Sequence, residues 1–279
     1  MQIEIKLVPA EKSILGFDYL YQMHSALMTT LTSRNPDLAK DLHEGSHENR
    51  MKMFVFSPLN STPTPKLVQV EGEERKRMLL GEKIWFRIAS PWPEFLNSLG
   101  ESLLVAGQMN IAGKNFKISG VNMIAPPELK EQMVWRPFGQ SASICTPWSP
   151  PDNGKKLFIY PDKPIDNSPT CSELLANNLY HKFKRLQEIR PDIADAWLKN
   201  SGMNELPSEN AINVEFLPSS PTQSYKTIMN YGKNAAIRSW RCPVKITAPL
   251  PLQRLVWAAG LGSMNAQGYG LMQEGKQCN

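Results

Sequence analysis

The chain has 279 residues, 41% of them apolar and 20% charged, which suits one large folded domain or two of ordinary size and argues against disorder. No window approaches 18 consecutive apolar residues, which removes a membrane-spanning helix. A net charge of +5 admits an anionic partner such as nucleic acid without requiring one.

Ile3, Ile5 and Leu7 alternate with Gln2, Glu4 and Lys6, so residues 2–8 read as a strand buried on one face; no apolar leader precedes it, and a cytoplasmic protein is expected. A helix follows from Phe17 to Ser33, with Leu20, Met23, Leu27 and Leu31 as its apolar stripe. Asn35-Pro36 is an N-cap with proline at the first helical position, opening a short helix from Asp37 to His43. A polar loop, Glu44 to Arg50, leads to an apolar strand, Met53 to Ser57. Residues 65–90 read as two strands around the charged turn 71–77, Ile84, Phe86 and Ile88 alternating in the second. Ser90-Pro91 caps a helix bearing Phe95, Leu96, Leu99, Leu103 and Leu104, and a strand runs from about Phe116 to Met123. Strand, helix, strand, strand, helix, strand is the ferredoxin-like order, and Pro126-Pro127 closes it.

In the second half, β-prone runs at Met133–Trp135 and Leu157–Tyr160 lie among prolines. Thr170-x-x-Glu173 is a capping box before a helix with Leu175, Leu179, Phe183 and Leu186 inward, leaving Lys182, Lys184 and Arg185 on its surface. Strands are expected at Ile212–Phe216, Ser224–Met229, Ala235–Ile246 and Tyr269–Met272, with a helix at Pro251–Ala259. A second, degraded copy of the first topology fits this order. The expected class is α+β: two tandem ferredoxin-like (RRM-like) domains, residues 1–126 and 127–279.

Between the last helix and strand lies Gly260-Leu-Gly262-Ser263-Met-Asn-Ala-Gln-Gly268-Tyr-Gly270, four glycines in eleven residues. Such density marks positive φ or close backbone approach, and backbone N–H groups there can cradle phosphate. A dinucleotide fingerprint fails, because Asn265 replaces the third glycine and the helix precedes the loop; a P-loop fails for want of Gly-Lys-Ser/Thr. A helix cap with a tight turn stays open as the alternative.

His181 reads as a surface residue and His24 as a partly buried packing residue at the edge of the first helix's stripe. His43 ends the short helix beside a loop that holds His47, with Lys52 beyond. An imidazole there can transfer protons near neutral pH and a lysine can stabilise an anionic phosphate; a histidine capping its helix dipole is the alternative. Lys233, Arg238, Arg241 and Lys245 could extend a phosphate-binding track toward the glycine loop, or form a solvated strand face. The cysteines 145, 171, 242 and 278 lie far apart and read as free thiols, and no Cys/His or carboxylate cluster suggests a metal.

Several of these segments recur together in one known family: the opening Ile-Glu-Ile-Lys-Leu-Val strand, Asn35-Pro-Asp-Leu-Ala-x-x-Leu-His43-Glu44, Lys52-Met-Phe-Val-Phe-Ser-Pro-Leu59, and the terminal glycine loop. In this combination the chain resembles the CRISPR-associated endoribonucleases of the repeat-associated mysterious protein (RAMP) superfamily, which cut precursor CRISPR RNA within its repeats; residues 125–210 contribute nothing to the likeness. The resemblance implies metal-independent cleavage without a cofactor, leaving a 2′,3′-cyclic phosphate and a 5′-hydroxyl. It implies catalytic roles for His43 and Lys52, and RNA contact at Gly260, Gly262, Gly268 and Gly270, with Ser263 between them; the basic track read above, Lys233, Arg238 and Arg241, would then serve the same RNA. Some members carry a catalytic tyrosine on the first helix where this chain has Met28, so the role passes to His47 or His24, or is absent. The expected partners are CRISPR repeat RNA and other CRISPR effector-complex subunits; the alternative is a non-catalytic subunit that binds repeat RNA in an interference complex.

Overall fold

A computed structural model describes residues 1–44, 52–139, 142–151, 156–217, 222–230 and 233–275. In the first half the Gln2–Pro9 strand lies mid-sheet, antiparallel to Lys83–Ala89 on one side and Lys114–Ile124 on the other. Val55–Phe56 and Asn60–Thr62 pair with the outer edge of Lys83–Ala89, and Gln108–Ile111 with the far edge of Lys114–Ile124. Ile3, Ile5 and Leu7 join Ile84, Phe86 and Ile88 in one core, together with helices α1 (Tyr19–Thr32) and α3 (Pro93–Ala106). The α1 stripe of Leu20, Met23, Leu27 and Leu31 is no more than 2% exposed, so its spacing does specify the buried face. Asn35 caps α2 (Pro36–Glu44), its side-chain oxygen accepting from the Leu38 N–H at 3.2 Å.

The 65–90 stretch departs from expectation. Lys66–Val68 and Arg77–Leu79 form a hairpin, but it pairs with Ile14–Leu15 in a small sheet of its own, and a third strand, Lys83–Ala89, joins the main sheet. The chain changes sheets at Gly81, where a Cβ would sit 2.5 Å from the Pro63 carbonyl oxygen.

The second half repeats the topology. Gln132–Pro137 lies between Val244–Thr247 and Met272–Glu274, with Asn213–Phe216 outside Val244–Thr247, all antiparallel. This is the sheet order of the first half in a second ferredoxin-like unit. Its core joins Trp135, Val244 and Ile246 to Leu175, Leu179, Phe183 and Leu186 of α4 (Cys171–Ile189) and Leu252, Leu255 and Val256 of α6 (Leu250–Ala259). The capping box at Thr170 forms: its hydroxyl oxygen accepts the Glu173 N–H while the Glu173 carboxylate accepts the Thr170 N–H. A further helix, α5 (Pro191–Asn200), follows at once, with its proline at the first helical position. The expected Ala235–Ile246 strand is broken at Cys242-Pro243, since proline cannot donate to a ladder. Lys233–Arg241 instead forms a hairpin with Thr222–Asn230, and Val244–Thr247 stays in the sheet.

The two units share a seam. Gln2, expected on the solvated side of its strand, is fully buried; its amide donates to the carbonyls of Trp257 (2.9 Å) and Met272 (3.4 Å). Trp92 packs against both cores, and Met53 belongs to the second. Cys145, Cys171 and Cys242 are buried thiols, and burial pushes Cys171 and Cys242 each up to about 12; Cys278 lies outside the described residues. Among the described residues no helix is long and apolar enough to cross a membrane.

Candidate functional site

Leu20, His24 and Met28 follow one another at four-residue spacing along α1, so they form one ridge. Lys52 reaches this ridge from the segment that leads into Val55–Phe56: its Nζ is 3.4 Å from His24 Nε2. With Lys52 as an ammonium, Nε2 is the acceptor and the ring proton sits on Nδ1. The His24 imidazole stacks on Phe54, ring centroids 5.8 Å apart and planes 6° from parallel, and Phe54 in turn meets Phe95 at 5.3 Å. An aromatic floor thus fixes an imidazole beside a cation, both half-buried. Met28 packs against the core. Tyr19, on the same helix, is buried and its hydroxyl oxygen accepts from the Leu59 N–H at 2.9 Å; burial raises its pKa above the ordinary phenol value. His43 is placed in the last turn of α2, and His47 lies outside the described residues.

The glycine loop meets the same ridge. All four glycines have positive φ, between 72° and 90°, and all are buried. A Cβ at Gly268 would come within 3.0 Å of Leu20 and 3.1 Å of Phe56, so the loop approaches α1 one helical turn, about 6 Å of rise, from His24. Leu261 N–H donates to the Gly270 carbonyl at 2.9 Å, Gly270 N–H to Ser143, and Ser263 N–H to Cys145. Asn265, which spoils the dinucleotide fingerprint, clamps the loop from within by donating to the carbonyls of Tyr269 (2.9 Å) and Leu261 (3.3 Å). The glycines therefore fold the loop down onto the protein, while Ser263, Met264, Ala266 and Gln267 form its partly exposed crest.

Lys182 overturns its sequence reading as a surface residue. It is 5% exposed, and its Nζ donates to the carbonyls of Gly260 at 3.0 Å and Gly262 at 2.8 Å. Burial lowers its pKa to about 7, while two carbonyl acceptors favour the ammonium.

The basic residues separate. Lys233 opens its strand. Arg238 is exposed, and Arg241 is half-buried with its guanidinium donating to the Gly139 carbonyl. Burial, then the charge of Arg136, lowers the Arg241 pKa, so two guanidinium groups act on each other there. Lys245 faces Glu215 across the sheet in a 2.9 Å ion pair.

Two family models match the chain in tandem: "CRISPR-associated protein Cas6, N-terminal" over residues 14–122 and "CRISPR associated protein Cas6, C-terminal" over residues 141–274. The chain belongs to the Cas6 family. A relative from Methanocaldococcus jannaschii, CRISPR-associated endoribonuclease Cas6 1, is 26% identical over 194 residues, 69% of each chain. The structure of a Cas6-related protein from Pyrococcus furiosus superposes with a TM-score of 0.73 at 17% identity, over 100% of this chain and 99% of that one. A solved RAMP protein described as binding different RNA substrates gives 0.70 at 18% identity, over 99% and 100%. These solved Cas6 and RAMP structures share the tandem ferredoxin-like fold.

Within this Cas6 chain, His24, Lys182 and Arg136 each interact with a residue expected at the site: Lys52, the glycine loop and Arg241. His24 reads both as packing and as one possible stand-in for the tyrosine, and no local pattern announces that Lys52 reaches it. Lys182 could have been found: positions 175, 179, 182 and 186 share one helical stripe, and a lysine in a leucine stripe demands a buried partner. Arg136 carries no signal beyond being charged in a strand.

Proposed function

We propose that this chain is a metal-independent endoribonuclease that cuts precursor CRISPR RNA within its repeats, acting in the cytoplasm. Residues 1–126 would carry the reacting groups, and residues 127–279 the glycine loop that holds the RNA backbone. The observation that carries the reading is the His24–Lys52 contact of 3.4 Å on α1, one turn from where Gly268 meets Leu20.

RNA supplies its own nucleophile. The 2′-hydroxyl gives its proton to a base, O2′ bonds to phosphorus, the P–O5′ bond breaks, and an acid protonates O5′, leaving a 2′,3′-cyclic phosphate and a 5′-hydroxyl. As Lys52 turns from His24 Nε2 to the phosphate, the Nε2 lone pair it had engaged can take the 2′ proton. His43 and its neighbour His47 are assigned to the leaving oxygen. Lys52 places a positive charge where the phosphorane accumulates negative charge. In this arrangement Met28 leaves no vacancy to fill, because His24 supplies a titratable group one turn earlier on the same ridge.

RNA contact is assigned to the glycine loop (Gly260, Gly262, Ser263, Gly268, Gly270) and to Lys233, Arg238 and Arg241. The Arg136–Arg241 repulsion is relieved by an anion, which favours phosphate there. The test is cleavage of a cognate repeat RNA in EDTA by wild type and His43→Ala, with a loss of at least ~10²-fold expected for the variant. Equal cleavage removes His43 from the site. Tight, salt-sensitive binding with no cyclic-phosphate product from wild type would select the non-catalytic subunit of an interference complex instead.

A further inference from the structure

We propose that Lys182 is the positioning residue of the glycine-rich loop: its ammonium draws the Gly260 and Gly262 carbonyls inward and sets the peptide planes from which the 263–267 crest projects toward RNA. This rests on the loop's RNA-binding role given above.

The geometry is specific. In a planar peptide the carbonyl and the next N–H point in opposite directions. Pulling the Gly260 carbonyl toward Lys182 therefore turns the Leu261 N–H away from it, where it donates to Gly270; pulling in the Gly262 carbonyl turns the Ser263 N–H toward Cys145. One ammonium thus fixes two consecutive-but-one peptide planes at the entry to the crest. Gly260 (φ 76°) and Gly262 (φ 72°) are the residues whose backbone can follow. A Cβ at Gly262 would lie 2.6 Å from the Cys145 carbonyl oxygen, so the loop is held against the protein on that side too.

Packing alone does not call for this residue. Leu175, Leu179 and Leu186 fill the neighbouring positions of the stripe, and among the described residues no carboxylate pairs with Lys182. Burying an ammonium is costly unless its donors are used, and here the acceptors are the loop itself. Asn178, one turn earlier on α4, adds a second tie from the same helix: its side-chain nitrogen lies 3.4 Å from Ser263 Oγ on the crest. The helix therefore grips the loop from inside at its first residues and touches the crest at Ser263.

The test compares wild type with Lys182→Met, near in shape and without donors, and with Lys182→Gln, which keeps donors on a shorter arm. Amide hydrogen exchange over 260–270 should quicken at least tenfold in Lys182→Met and less in Lys182→Gln. Repeat-RNA Kd should rise at least tenfold in Lys182→Met, with partial recovery in Lys182→Gln, while the single-turnover rate at saturating RNA changes less than threefold. Unchanged exchange with unchanged Kd overturns the proposal, and so does a fallen bound-state rate with Kd intact. If Lys182→Met does not fold, Lys182→Gln decides by the same readouts. A wild type that binds repeat RNA without cutting it overturns the cleavage reading and leaves the Kd comparison in force. A wild type that does not bind overturns the loop's RNA role, and the proposal with it.

Discussion

Replacing Gly270 by alanine separates the two reasons a loop needs glycine. Gly107, at the end of α3, and Gly270 both have positive φ, 65° and 78°. A Cβ at Gly107 meets nothing within 4 Å, whereas at Gly270 it falls 2.0 Å from the Leu261 carbonyl oxygen and 2.7 Å from Asn265 Nδ2. Gly107→Ala therefore carries only the left-handed backbone cost, about 1–2 kcal/mol. Gly270→Ala adds an overpacking cost of about 1–3 kcal/mol. It also strains the Leu261–Gly270 hydrogen bond and the Asn265 clamp, at roughly 0.5–1.5 kcal/mol for each bond lost. With one bond lost from each, the expected destabilisation is about 3–8 kcal/mol, so the two variants should differ by at least about 2 kcal/mol in urea unfolding. Repeat-RNA affinity should fall in Gly270→Ala and hold in Gly107→Ala. If both variants lose the same stability to within about 0.5 kcal/mol, the loop yields freely and its contacts with Leu261 and Asn265 do not hold it.

Two further outcomes follow from the site. His24→Phe keeps the stack on Phe54 and removes Nε2, so single-turnover cleavage at saturating RNA should drop about 10²-fold with affinity nearly unchanged; cleavage within twofold of wild type would return His24 to packing. For Lys182 the folded pKa, near 7, lies below the unfolded value of 10.5. Between those values the unfolded chain binds more protons, so this group's contribution to stability rises with pH across that window and is least below pH 7. The full swing is at most about 5 kcal/mol, and the two carbonyl acceptors reduce it by favouring the ammonium. The stability of wild type relative to Lys182→Met should climb from pH 7 to pH 10, and a flat difference would contradict a desolvated ammonium.

Alternation in Gln2–Pro9 and Lys83–Ala89, the stripes of α1 and α4, and the Thr170 box were legible because each is a local pattern read by one neighbouring layer. Gln2 was not legible. Its alternation points outward, and only the arrival of α6 and the last strand turns that outward face into an interior. Lys182 was misread because charge was weighed above position, although its place in the leucine stripe was visible. α5 was missed because Pro191, which can end a helix, here begins one. Pro243 did mark the break in the Ala235–Ile246 run, but not that the two pieces would join different sheets. The His24–Lys52 contact joins residues 28 apart that only the packing of α1 against the first sheet brings together.

The bond from Gln2 to Met272 spans 270 positions, and Gly268 closes on Leu20. A chain emerging from the ribosome exposes His24 and Lys52 well before the glycine loop. The N-terminal sheet can form meanwhile, but one of its faces stays wet until Trp257 and Met272 arrive, and Leu20 stays uncovered until Gly268 does. A chain that stops short of Gly260 thus presents the histidine and the lysine without the surface assigned to hold RNA beside them, and the proposed site comes together only once both halves have been made.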